Sequence, residues 1–241
     1  MESKDLNFKT HRRGFLGTLA TGAVALGVGS MATPLQALAK NDFQDTPIAD
    51  DDPDAWFNKI KGKHRIVFDA TRPHEIMPFV WPLVFLNTNE ATGSKDNSVV
   101  VVLRHDAIPY AFEDRIWAKY NFGEVFKAGE LGPAFKAADY KTAASNRNPF
   151  WKTKPGDFQV PGIGEVPIGI TDLQAKGVMF CVCNAAMTVY SAALAPNLNM
   201  SAEEVKKDWV SGLIPGIQVV PSGVWAVGRA QEHGCSYCFA G

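Results

Sequence analysis

Ser98-Val99-Val100-Val101-Val102-Leu103-Arg104 is the stretch on which the fold turns. Its unbroken β-branched run has no polar alternation, so it predicts a strand buried on both faces, as in a parallel sheet covered by helices. Three further segments fit the same sheet: His64 to Asp69, Gly177 to Cys183 and Ile217 to Val220, with Cys235 to Phe239 as a last short strand. Helical patterns lie between them. Glu75 to Leu86 reads as a helix despite Pro78 and Pro82, and Pro109 to Tyr120 as another with Pro109 in its first turn. Ile170 to Lys176 is a short helix, and Asn184 is placed to cap a helix running to about Leu194. Ser201 with Glu204 forms a capping-box signature, and Pro221-Ser222 opens a helix through His233. Strands alternating with helices predict an α/β fold with a mostly parallel sheet.

Outward from this core the pattern changes twice. Residues 121–169 are rich in Gly, Pro, Lys and Asn, and break the alternation as a long irregular insertion. Its aromatic residues favour an ordered flap or a subunit contact. Residues 1–39 carry the three parts of an export signal: His11-Arg12-Arg13-Gly14-Phe15-Leu16, a Gly-rich apolar stretch to about Val28, and Ala37-Leu38-Ala39 after Pro34. The paired arginines resemble the twin-arginine (Tat) signal, which predicts a periplasmic or otherwise exported protein. Residues 40–62 read as an acidic linker and a short helix, and 63–241 as the folded domain. A mature chain of about 200 residues suits one domain.

The net charge of −1 offers no basic field for nucleic acid. No membrane span is expected once the signal is cleaved. Neither a Gly-x-Gly-x-x-Gly turn between strand and helix nor a Gly-x-Ser-x-Gly elbow is present, which argues against nucleotide and serine-hydrolase chemistry.

In open α/β sheets ligands gather at the carboxyl ends of strands. Three such ends carry reactive or charged groups: Asp69 with Arg72, His105 with Asp106, and Cys183 followed by Asn184. Cys183 lies where a strand hands over to a helix, whose free N–H groups favour a thiolate. His105 is the candidate base for that thiol. Asp69 and Arg72 form a candidate pocket ion pair, and His74 a candidate pocket residue. All four cysteines fall in the last quarter of the chain, as Cys181, Cys183, Cys235 and Cys238. Their spacing leaves three states open: free or persulfide thiols, disulfides such as Cys181 with Cys238, or a four-thiolate zinc or iron–sulfur site. No other cofactor is implied.

The strand ending Leu103-Arg104-His105, the segment Gly177-Val178 through Cys183-Asn184, and Val219-Val220-Pro221-Ser222-Gly223-Val224 with Gln231 to Tyr237 together resemble the DsrE/DsrF-like family, Asp106 standing where the family pattern has glycine. The resemblance implies a flavodoxin-like three-layer sandwich that assembles as a homo-oligomer, trimer or larger. It also implies sulfur handling, with Cys183 as persulfide carrier or nucleophile, Cys181, Cys235 and Cys238 as accessory thiols, and a sulfur donor or acceptor protein as partner. A second expectation is a non-catalytic binding or assembly module in which the insertion is the working surface and the cysteines are structural.

Overall fold

The computed structural model describes residues 54–137 and 146–241. The expected signal, and the linker up to residue 53, lie outside the described residues. The strands are β1 (His64–Ala70), β2 (Asn97–Leu103), the short hairpin strands β3 (Gln159–Val160) and β4 (Gly164–Glu165), β5 (Val178–Cys183), β6 (Ile217–Val220) and β7 (Ser236–Phe239). The α-helices are α1 (Met77–Ala91), α2 (Asp114–Tyr120), α3 (Phe122–Val125), α4 (Ile170–Ala175), α5 (Asn184–Leu198), α6 (Ala202–Ser211) and α7 (Gly223–Glu232).

Five strands form one parallel sheet in the order β6-β5-β2-β1-β7. Helices cover both faces, so the expected α/β three-layer architecture holds. From β1 the chain steps in one direction to β2, β5 and β6, and then returns past β1 to lay down β7. Right-handed crossovers put helices of opposite step on opposite faces. Helices α1, α2, α4, α5 and α6 accordingly share the larger core, around Phe79, Trp117, Phe180 and Trp209. Helix α7 alone makes the return crossover, over a smaller core that holds Val67, Val100, Val102, Cys181 and Ala226.

The valine run obeys this division. Val99, Val101 and Leu103 enter the larger core, while Val100 and Val102 enter the smaller. All five are essentially inaccessible to solvent. Burial on both faces explains why no polar residue interrupts the run.

Several local expectations are corrected. The short helix of the linker is a 3₁₀ turn, Ala55–Lys59, and it belongs to the domain: Trp56, Phe57 and Ile60 fill the smaller core that α7 leaves open. The helix expected over Pro109–Tyr120 is two elements, a 3₁₀ segment His105–Ala111 and then α2, separated by extended Phe112 and Glu113. Pro109 lies inside the 3₁₀ segment, and only α2 continues as α-helix. Helix α1 runs past Leu86 to Ala91 and keeps Pro82 in its interior. The Ser201–Glu204 capping box forms as expected.

The described part of the insertion is ordered and joined to the core. Phe150 stacks on Phe79 at 3.8 Å and on Phe158 at 5.1 Å between ring centroids. Asn148 is fully buried and donates to the Tyr110 and Phe112 carbonyls at 2.9 and 2.8 Å. These contacts make the insertion part of the larger layer.

Candidate functional site

Neighbouring strands β5 and β6 send their chains to opposite faces, β5 into α5 and β6 into α7. A cleft forms where adjacent strands diverge in this way. Cys183 ends β5 opposite Val220 of β6, at the point where the two chains diverge. The helix cap here differs from the expected one. Cys183, not Asn184, is the N-cap residue of α5, and its Sγ accepts a hydrogen bond from the Ala186 amide at 3.2 Å. Asn184 is the first residue of the helix and is fully buried.

The sulfur is held by opposing influences. Burial pushes the Cys183 thiol up from its ordinary value. The N–H groups of Ala186, Gly223 and Ala185, and then the Arg104 charge, act the other way. Gly223 begins α7, so two helix amino termini face one sulfur. Free N–H groups at a helix start favour an anion.

Arg104 is the residue that the sequence did not single out. It follows β2 and is fixed by Asp69 of the neighbouring strand, Nε to Oδ1 at 2.6 Å and the second guanidinium nitrogen to Oδ2 at 2.8 Å. Tyr237 of β7 donates its hydroxyl to the same Oδ2 at 2.9 Å. Asp69 is 2% exposed, and these hydrogen bonds satisfy its buried carboxylate oxygens. The expected Asp69–Arg72 pair is therefore replaced by Asp69–Arg104, which β1 and β2 bring side by side. Gly223 makes room for it: a Cβ at this position would collide with the Arg104 side chain.

His105 and Asp106 form a second cluster beside the first. His105 has a left-handed backbone, φ 50°, and a side chain 63% exposed. Its Nδ1 lies 3.3 Å from Asp106 Oδ2, and Tyr190 of α5 donates to Asp106 Oδ1. The Tyr190 hydroxyl lies 3.5 Å from His105 Nε2. Hydrogen bonding to Asp106 raises His105 above its ordinary value. For Asp106, burial raises the carboxyl, but hydrogen bonds from His105 and Tyr190 outweigh it and the net direction is down. No hydrogen bond joins His105 to Cys183 among the described residues.

Asp106 also lines a cavity of about 470 Å³. Arg72, His74 and Glu75 from the loop after β1 line it, with Lys127 and Glu130 from the insertion. Arg72 and His74 thus belong to this cavity, not to an ion pair with Asp69.

The four thiols do not converge. Cys181 is fully buried in the smaller core, and burial raises its thiol strongly. Cys235 packs in the smaller core and Cys238 against the larger one, on opposite faces of the sheet. Burial pushes the Cys235 thiol up to about 11. Strands β5 and β7 are separated by β2 and β1, three spacings or roughly 14 Å. A disulfide needs Cα atoms within about 7 Å, so the Cys181–Cys238 bridge and a four-thiolate site within one chain do not fit this order. All four cysteines are free thiols, and no group of three or more His, Cys, Asp or Glu suited to a metal occurs among the described residues.

No family model matches the chain, and no curated protein matches it. Among solved structures it is similar to the protein of unknown function MTH1491 from Methanobacterium thermoautotrophicum. The match has a TM-score of 0.37 and 15% identity, and covers 73% of this chain and 99% of that one. The fold described above rests on the strand order itself.

Proposed function

We propose that this chain is an exported sulfur-handling protein in which Cys183 carries sulfane sulfur. The observation that supports it most is the setting of one sulfur atom between the amino termini of α5 and α7, with the Arg104 guanidinium beside it. This setting suits a sulfur that cycles between a thiol and an anionic persulfide. The Cys183 thiolate attacks a terminal sulfane sulfur of a donor such as inorganic polysulfide. The donor's S–S bond breaks, the shortened polysulfide leaves with the electron pair, and Cys183 becomes Cys–S–S⁻. The thiol proton passes to solvent, and no external oxidant or reductant is consumed.

His105, held by Asp106 and Tyr190, takes no part in the thiol's proton transfer in this reading. Cys181 and Cys235 are packing residues, and Cys238 is the most exposed thiol of the four. The second reading, a binding or assembly module with the insertion as its working surface, would use insertion residues other than Phe150 and Phe158, which are buried. The homo-oligomer and a protein sulfur donor or acceptor remain part of the proposal, and sheet-edge Tyr237 and Phe239, each about half exposed, offer one contact surface. No helix among the described residues is long and apolar enough to cross a membrane.

The test is cyanolysis. Protein loaded with inorganic polysulfide, freed of excess and mixed with cyanide should release thiocyanate stoichiometrically. Cys183→Ser should abolish the release and Cys238→Ser should retain it. Equal release from wild type and Cys183→Ser would reject the proposal. Export is tested separately, by N-terminal sequencing of the protein recovered from the periplasm, which should begin at Lys40.

A further inference from the structure

The cavity at Asp106 stands apart from the thiol, and the sulfur chemistry leaves it unused. At about 470 Å³ it falls within the ordinary range of small-molecule sites, roughly 300–1,000 Å³. It lies at the carboxyl ends of β1 and β2, the end of an α/β sheet where ligands bind. The insertion supplies its third wall, which gives that long excursion from the sheet a role.

Its lining carries charge of both signs. Arg72 and Lys127 are cationic, and Glu75, Asp106 and Glu130 are anionic. Among the described residues Arg72, Lys127, Glu75 and Glu130 form no ion pair with one another or with any other side chain. All four are exposed on the rim, and Arg72 is near enough to Asp106 for its charge to help lower that carboxyl. Asp106 is the fixed point. Tyr190 and His105 grip its two oxygens, which orients the carboxylate. Phe126 adds a buried apolar wall and stands against Tyr190 at 4.9 Å between ring centroids.

Backbone strain collects around the same space. Glu75 and Lys127 on its rim and His105 beside Asp106 all hold left-handed φ angles, 48°, 52° and 50°. Such angles cost non-glycine residues energy and persist where the surroundings fix them, often at binding sites. Gly132 completes the wall at φ 68°, where a Cβ would run into the Glu75 side chain.

We infer that this cavity binds a small zwitterion of the α-amino-acid type, its carboxylate on Arg72 and Lys127, its ammonium on Asp106 and Glu130, and its apolar side chain against Phe126. A simple anion such as phosphate would meet three carboxylates. A bare cation would meet the arginine and lysine, and the carboxylates do not gather as a metal-ligand set. A ligand with both charges, separated by a short spacer, meets both signs of charge in the lining. Charge-assisted hydrogen bonds at each end give the recognition its strength.

The test uses the full folded chain and the standard L-amino acids, each added singly at millimolar concentration, with binding read by calorimetry. At least one should bind saturably. Its N-acetyl derivative, lacking the ammonium, and its amide, lacking the carboxylate, should each bind at least tenfold more weakly. Arg72→Gln and Glu130→Gln are exposed changes that should leave the melting temperature unchanged, and each should weaken binding about tenfold. Saturable binding by none of the amino acids would overturn the inference. Equal binding of the N-acetyl derivative would also overturn it and make the cavity an anion site. Cys183→Ser should bind the amino acid as wild type does, so failure here and failure of the sulfur proposal are read separately.

Discussion

Two adjacent strand ends in this molecule solve opposite problems. At the end of β5, Cys183 is 6% exposed and ringed by backbone N–H groups and Arg104. At the end of β2, two residues beyond the strand, His105 is 63% exposed and held by Asp106 and Tyr190. The first environment shelters a sulfur, and the second presents an acid–base pair to solvent and to a cavity. Arg104 lies between them, and its charge lowers the Cys183 thiol and also opposes protonation of His105. The difference teaches that neighbouring ends of one sheet need not pool their groups into one centre. Arg104, not His105, is the charge that reaches the thiol.

The hardest blow to this comparison is removal of the sulfur itself. Cys183→Ser should cut sulfane uptake by at least about 100-fold, since no other thiol has N–H groups converging on it, and intact-mass measurement after polysulfide treatment reads the loss. Asp69→Asn comes next. It leaves the Arg104 guanidinium without its buried counter-charge and should destabilise the domain by about 2–3 kcal/mol in urea unfolding. The value is set below the full cost of breaking a buried pair because the Arg104 side chain is 28% exposed.

Arg104→Gln against His105→Gln sharpens the contrast. Loss of Arg104 removes a charge that pulls the Cys183 thiol down, so thiol alkylation should shift to higher pH. Loss of His105 should leave that profile in place. An equal shift in both variants would merge the two strand ends into one centre.

The smallest effect is the pH dependence of the His105–Asp106 pair. His105 is raised above its ordinary 6.5, so its stabilisation is complete below about that pH and is lost as pH rises through the raised value. Asp106 is lowered below its ordinary 3.8, so its part is present above that value and is lost as pH falls through the lowered one. Both groups are partly exposed, which holds the pair to less than about 1 kcal/mol. NMR titration of His105 should give a midpoint above 6.5, and Asp106→Asn should bring it down.

What the sequence disclosed follows from how local each signal is. The valine run, the strand ending in Cys183 and the Ser201–Glu204 box are contiguous patterns, and each appears where expected. The cap at Cys183 was one residue off, because a thiol is a weak acceptor and Asn184 is the stronger cap by type. Arg104 escaped notice because its partner lies 35 residues away and is brought near only by the pairing of β1 with β2. Tyr190 entered the site for the same reason, 84 residues from Asp106. The separation of the cysteines depends on strand order, which no local pattern encodes: β7 returns to the far side of β1, and the two thiol pairs part with it. The break after Ala111 reflects Phe112 and Glu113, whose extended backbone serves a bridge from Phe112 to Leu213.

The most direct measurement is to treat the folded protein with inorganic polysulfide, digest it and map the added sulfur by mass. The account predicts a single added sulfur on Cys183, although Cys238 is the more exposed thiol. Sulfur on Cys238 with Cys183 unmodified would contradict it.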